Sequence, residues 1–195
     1  MSILPKDPVK RGRLILLAIG LVFVLPIVAA WTAYRLGWSP GGSSNYGDLI
    51  KAQAAPDTPL TALDGHPFRL SQLRGKWVML AFGSPACDES CVRKLYYMRQ
   101  IRVAQGGNMG RVERVWILTA AGAPSAALLA AYPGMHVARA PGPDFERGFA
   151  ATDGATHHIY LVDPLGNVMM RFPRDPNPSR MLKDLQHLLR YSSAG

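Results

Sequence analysis

Cysteine is nearly absent from this chain: among 195 residues only Cys87 and Cys91 occur. Two thiols cannot build an all-cysteine tetrahedral zinc site within one chain, so that class of metal centre is excluded. Acidic residues are also sparse, 13 against 22 lysines and arginines, for a formal net charge of +9. The residues before position 14 carry three of those charges, Lys6, Lys10, Arg11 and Arg13 less Asp7, and the remainder keeps six. Such an excess suits an acidic partner or anionic lipid headgroups. The charges are scattered, however, and no aromatic-basic binding motif accompanies them, so nucleic acid is excluded as a partner. Internal repeats of useful length are absent as well.

Charge is missing altogether from residues 14 to 34, "LILLAIGLVFVLPIVAAWTAY". A helix of that length spans roughly 31 Å, enough to cross the hydrocarbon core of a bilayer. Lys6, Lys10, Arg11 and Arg13 precede the run and only Arg35 closely follows it. The positive-inside rule then puts the N-terminus in the cytoplasm and everything after Tyr34 outside, on a single-pass membrane protein. A cleaved signal peptide is the competing reading, with "IVAA" supplying small residues. The length of the run, and Trp31 and Tyr34 at its exit, favour an anchor that is retained. Pro26 is tolerated there as a kink.

The boundaries read from composition are a cytoplasmic tail over 1–13, a transmembrane anchor over 14–34, a flexible tether over 35–55 and a folded domain over 56–195. The tether is assigned from its Gly, Ser and Pro content and its lack of sustained periodicity. Past it, "PLTALDGHPFRL" reads as a hairpin around Asp64-Gly65, and "SQLRG" as a single helical turn. "KWVMLAFG" is a continuous apolar run suited to a buried central strand. From Asp88 to Ala104 the apolar residues follow helical spacing, so a helix opens at the cysteine pair. "RVERVWILTA" and "MHVARA" read as strands, and "PSAALLAAY" as a helix begun by Pro124. "PGPDFERGFAATDGAT" reads as loop, and "HHIYLVDPLGNVMMRF" as a second hairpin. A closing amphipathic helix puts Leu182, Leu185, Leu188 and Leu189 on one side. Strands alternating with helices indicate an α/β layered domain, similar in architecture to thioredoxin.

Cysteines at i and i+4 share one side of a helix, about 6 Å apart between Cα atoms, near the upper end of disulfide-compatible distances. Loosening the first turn would bring the sulfurs together, whereas two thiolates so placed would also hold soft Cu(I), with a third ligand from elsewhere in the fold. A purely structural bridge is disfavoured, because closing so short a loop restrains the unfolded chain little. A helix N-terminus, Arg93 and Lys94 favour thiolate, and Asp88 and Glu89 oppose it. Met169 and Met170 face opposite sides of a strand, and one buried methionine reads as core filler.

The run "PFRLSQLRGKWVMLAFGSPACDESCVRKL", followed by "IYLVDPLGN", resembles the Sco/SenC proteins, membrane-tethered thioredoxin-fold factors of cytochrome c oxidase assembly. The resemblance covers roughly residues 56 to 190, and the layout including "NYGDLI" and "RVERVWIL" is similar to small Sco-related proteins found with bacterial oxidase genes. It implies a Sco-type, thioredoxin-like sheet with flanking helices behind one N-terminal transmembrane helix. It also implies that Cys87, Cys91 and a distal histidine bind Cu(I) for delivery to the copper site of oxidase subunit II or another oxidase subunit. A thiol-disulfide oxidoreductase that keeps the oxidase copper-site cysteines reduced is the alternative, and a non-enzymatic assembly factor without metal is the third.

Two departures bear on that site. Val92 replaces the family's proline after the second cysteine. Five residues before Tyr160, where the family's ligand histidine stands, is Ala155, which cannot ligate. His157 and His158 lie three and two before that tyrosine. A shift of two residues keeps strand parity and favours His157 as the third ligand, at the point where thioredoxin-like reductases carry a cis-proline. His158 is the alternative ligand, expected on the other face. Asp153 is a candidate to orient a histidine from behind, against a turn-forming Asp-Gly. His66, His136 and His187 read as structural or solvent-facing.

Overall fold

The structure, a computed structural model, describes residues 8–36, 45–142, 144–149 and 153–192. The chain divides into two compact units between Ser44 and Asn45. The first is the helix α1 (Pro8–Arg35), 28 residues with no buried side chain and a mean hydropathy of 2.8 across its apolar stretch. It is long and apolar enough to cross a membrane. It takes in three of the basic residues assigned to the tail, because Lys10, Arg11 and Arg13 continue the same helix. Pro26 lies inside it, and near its end the Arg35 guanidinium sits 4.9 Å above the Trp31 ring.

In chain order the second unit holds β1 (Asp48–Ala54), β2 (Leu60–Ala62), β3 (Pro67–Phe68), β4 (Trp77–Gly83), α2 (Glu89–Val103), β5 (Val112–Leu118), α3 (Ala126–Ala131), β6 (His136–Arg139), α4 (Asp144–Arg147), β7 (Ile159–Val162), β8 (Asn167–Arg171) and α5 (Pro178–Tyr191). The sheet order is β1-β8-β7-β4-β5-β6-β2-β3. Strands β4, β5 and β6 run parallel, β7 runs antiparallel to β4, and the outer strands are antiparallel to their neighbours. Parallel neighbours need a crossover, and α2 supplies it between β4 and β5. All seven residues of β4 are buried, as its unbroken apolar run requires, with alternate side chains serving two cores. Trp77, Met79 and Ala81 join Leu95 and Met98 of α2 and Met181 and Leu185 of α5. Val78, Leu80 and Phe82 face Phe145, Phe149 and Tyr160 on the other side.

The hairpins form where turn chemistry placed them. Gly65 takes φ 85° between β2 and β3. Between β7 and β8 the Asp163 carboxylate accepts from Leu165 N at 2.9 Å and Asn167 N at 2.8 Å. Other elements differ from the reading. In α3 Ser125 is the cap, its hydroxyl accepting from Leu128 N, so Pro124 stands before the cap and not in the first turn. The stretch read as loop contains α4, which carries Phe145 into the second core. The buried side of α5 is Met181, Leu185 and Leu189 together with Asp184, while Leu182 and Leu188 are only partly buried.

The largest correction concerns the tether. Its described part contains β1, so the folded unit starts at residue 45 and not at 56. Strand β1 pairs with β8 from Asp48 opposite Arg171 to Ala54 opposite Asn167. Just before it, Gly47 passes so close to Met170 that a Cβ would lie 2.6 Å from the sulfur. The buried Asp184 carboxylate accepts from Tyr46 N at 3.1 Å and Gly47 N at 2.8 Å, tying this entry segment to α5. Removing such a charge-assisted pair costs about 2 kcal/mol. Asp184→Ala is therefore expected to lower the unfolding free energy by that amount in denaturant titration and to speed amide exchange across β1 while β4 stays protected. Unchanged exchange in β1 would refute the anchoring role.

Candidate functional site

Strand β4 ends at Gly83, and the chain turns at once into the cysteine pair, Cys87 N donating to Ser84 O at 3.0 Å. Asp88 caps α2, its carboxylate accepting from Cys91 N at 2.8 Å. Cys91 thus sits in the first helical turn and Cys87 just outside the helix. Cys87 is the one non-glycine among the described residues with a left-handed backbone, φ 43°, a conformation that costs an ordinary residue about 1–2 kcal/mol. With Cys87 released from the helix, the Cα atoms stand 5.1 Å apart and the two sulfurs are joined in a disulfide. Both cysteines are buried, at 7% and 5% exposure, within the α2 side of the core.

Lys94 is the group whose role the sequence reading missed. Its side chain is buried, and its ammonium donates to Phe82 O at 3.1 Å and also to Thr156 O. It therefore lashes the end of β4 to the 3-10 turn Ala155–His157. Burial holds its pKa below the ordinary lysine range, and Asp88 partly offsets that effect. The signal was present in the helical pattern, since Lys94 follows Cys91 by three residues and shares its inward face. Arg93, by contrast, is half-exposed and reaches Glu89 at 3.5 Å and Asp175 at 3.9 Å.

The histidines do not take the expected arrangement. His157 ends a 3-10 turn in which its amide donates to Gly154 O, so the segment is not extended there and strand parity does not apply to it. Its side chain is half-buried. His158 is ruled out as the alternative ligand, because both ring nitrogens are engaged, Nδ1 with Phe172 O at 2.7 Å and Nε2 with Asp153 at 2.8 Å. It lies beside Tyr160, the two ring centroids 6.1 Å apart. Asp153 orients this histidine and not His157, and the hydrogen bond from His158 holds its carboxyl below the usual range. Among the described residues no three His, Cys, Asp or Glu side chains are grouped to hold a metal ion, so in the disulfide state Cys87, Cys91 and His157 do not form a ready copper site. Every described peptide bond is trans, and no cis-proline faces the pair. His136 stacks on Phe68 at 5.3 Å and His187 meets Tyr191 at 4.7 Å, while Met170 fills the core.

Comparison with known proteins places this geometry. Residues 77–192, from the first residue of β4 to the end of the described chain, match the family model for the transmembrane-like, thioredoxin-like, C-terminal domain. No curated protein matches the chain. Among solved structures, yeast Sco1 with copper bound superposes with TM-score 0.58 at 16% identity, over 77% of this chain and 96% of that one. Bradyrhizobium japonicum ScoI with copper bound gives 0.54 at 19%, over 69% and 99%. The putative thiol:disulfide interchange protein DsbE of Chlorobium tepidum gives 0.53 at 22%, over 73% and 97%. At these identities the likeness is one of fold, and the fold is the thioredoxin-like, Sco-type sheet with flanking helices.

The buried lysine gives a prediction with a defined sign. A base whose pKa falls on folding binds fewer protons folded than unfolded, so stability rises with pH up to the unfolded value of 10.5. Tyr160, pushed up to about 12 by burial, gives the opposite slope above its unfolded value of 10.0. That slope is common to wild type and Lys94→Met and cancels in their difference. Lys94→Met is expected to remove the alkaline gain and to speed amide exchange at residues 157 and 158. A difference between the two proteins that does not change with pH would contradict the assignment.

Proposed function

Because the chain belongs to the transmembrane-like, thioredoxin-like C-terminal domain family, we propose that it is a membrane-tethered thiol-disulfide protein serving the assembly of an oxidase copper centre. Its substrate is the cysteine pair of that centre, in cytochrome c oxidase subunit II or another oxidase subunit. The observation that carries the reading is the Cys87–Cys91 disulfide, formed at the end of the central strand where α2 begins. In the reduced protein one thiolate attacks a sulfur of the partner's disulfide and a mixed disulfide forms as the partner's other sulfur leaves. The second cysteine then attacks the mixed bond, which restores Cys87–Cys91 and releases the partner as a dithiol. Two electrons and two protons pass to the partner, and an external dithiol restores the reduced pair. Helix α1 anchors the protein in the bacterial inner membrane with its N-terminus in the cytoplasm, leaving the sheet domain in the periplasm, where disulfides persist.

A second reading has Cu(I) as cargo, held by the two reduced thiolates and His157. Lys94 favours it, because its lash keeps the turn bearing His157 against the strand end that carries the cysteines. Copper is bound in the yeast and Bradyrhizobium proteins of the same fold. Soft thiolates suit Cu(I), and opening the disulfide supplies the two that the oxidised state withholds.

Anaerobic Cu(I) titration of the reduced full chain in detergent separates the two. The cargo reading expects a tight one-to-one complex weakened by His157→Ala; no complex removes it, and unchanged affinity in the variant removes His157. The redox reading expects turnover with an oxidised peptide carrying the copper-site cysteines, and absence of exchange removes it. Oxidase maturation that survives Cys87→Ser with Cys91→Ser would leave only an assembly factor needing neither activity.

A further inference from the structure

Gly83 marks a narrow space between the disulfide and β5. A Cβ built on it would lie 3.0 Å from the Cys91 sulfur and 3.1 Å from Nε1 of Trp116. Sulfur and indole nitrogen thus flank one point, with glycine leaving the gap between them open. Trp116 is fully buried, and its N–H has no hydrogen-bond partner among the described residues. A buried donor without an acceptor is costly, and native structures seldom retain one without a reason. Three other donors of this region are committed: Cys91 N to Asp88, Lys94 to two carbonyls, and the Tyr132 hydroxyl to Val92 O at 3.3 Å. A bridged sulfur is a poor acceptor, whereas a reduced one, above all as thiolate, is a good one.

We propose that the Trp116 indole N–H is a donor held for the Cys91 sulfur of the reduced pair. Trp116 is a positioning residue in this role, stabilising the dithiol state once the disulfide opens and the Cys91 side chain can turn towards β5. Gly83 keeps the path between them clear. This rests on the thiol-disulfide reading above. Stabilising the reduced form raises a pair's reduction potential, so losing the donor shifts the equilibrium towards the disulfide.

Trp77 supplies a matched control. It lies in the same core with its own N–H also without a partner among the described residues, six residues back along β4 and so about 20 Å from Gly83. The test is equilibration of the full chain in detergent with glutathione redox buffers, comparing wild type, Trp116→Phe and Trp77→Phe. Trp116→Phe is expected to favour the disulfide about tenfold, a drop of about 30 mV, because a hydrogen bond to a charged sulfur is lost. Trp77→Phe is expected to match wild type. If neither variant moves, or both move equally, the proposal falls while wild-type exchange leaves the redox reading standing; if wild type itself does not exchange, the redox reading falls first. Should Trp116→Phe fail to fold, nitrogen-15 NMR of the wild-type indole decides. The Trp116 N–H resonance is expected to move downfield on reduction, and an unmoved resonance would overturn the proposal.

Discussion

Burial of β4 on both faces is the constraint from which the rest of the domain follows. A strand with all seven residues buried needs apolar partners above and below and hydrogen-bonded neighbours on each side. Strands β5 and β7 satisfy the edges, one parallel and one antiparallel, while α2 and α5 cover one face and the Phe145–Phe149–Tyr160 cluster the other. The parallel pairing forces a helical crossover, and that crossover must begin where β4 stops. The cysteine pair occupies this junction. It inherits a fixed strand on one side and a capped helix on the other, with little freedom of its own.

The polar groups near the pair extend the same logic. A buried ammonium is tolerated only when its donors are used, and Lys94 uses them on carbonyls of β4 and of the turn before β7. It therefore joins the two segments on which a redox partner or a copper ion would depend. His158 is spent on a different task, linking Asp153 to the carbonyl of Phe172. Of the two neighbouring histidines, one is part of the scaffold and the other, His157, ends the 3-10 turn with its side chain half-buried. Among the described residues the thioredoxin-like frame thus holds a disulfide without a cis-proline against it and without a preassembled ligand set.

Much of this was legible in the residues. Continuous apolar runs gave β4 and β5, Asp-Gly and Asp-Pro-Leu-Gly gave the hairpin turns, and helical spacing from Asp88 gave α2 with its first turn at the cysteines. Strand β1 was not legible, because it is an exposed edge strand held by backbone pairing with β8 and by Asp184, so its side chains carry little pattern. The conformation of His157 was hidden for a related reason: a 3-10 turn breaks the parity on which its placement relied. The bond from Lys94 to Thr156 joins residues 62 positions apart, which no local spacing encodes, whereas Asp153 and its partner His158 are only five apart and were within reach of the sequence.

That the cysteine pair is a working couple and not a clamp is the claim on which both the redox and the copper readings stand. The reduction potential of Cys87–Cys91 in the intact protein tests it most directly. A working pair lies above about −300 mV and equilibrates reversibly with glutathione, whereas a potential below that value would mark a structural bridge and contradict the claim.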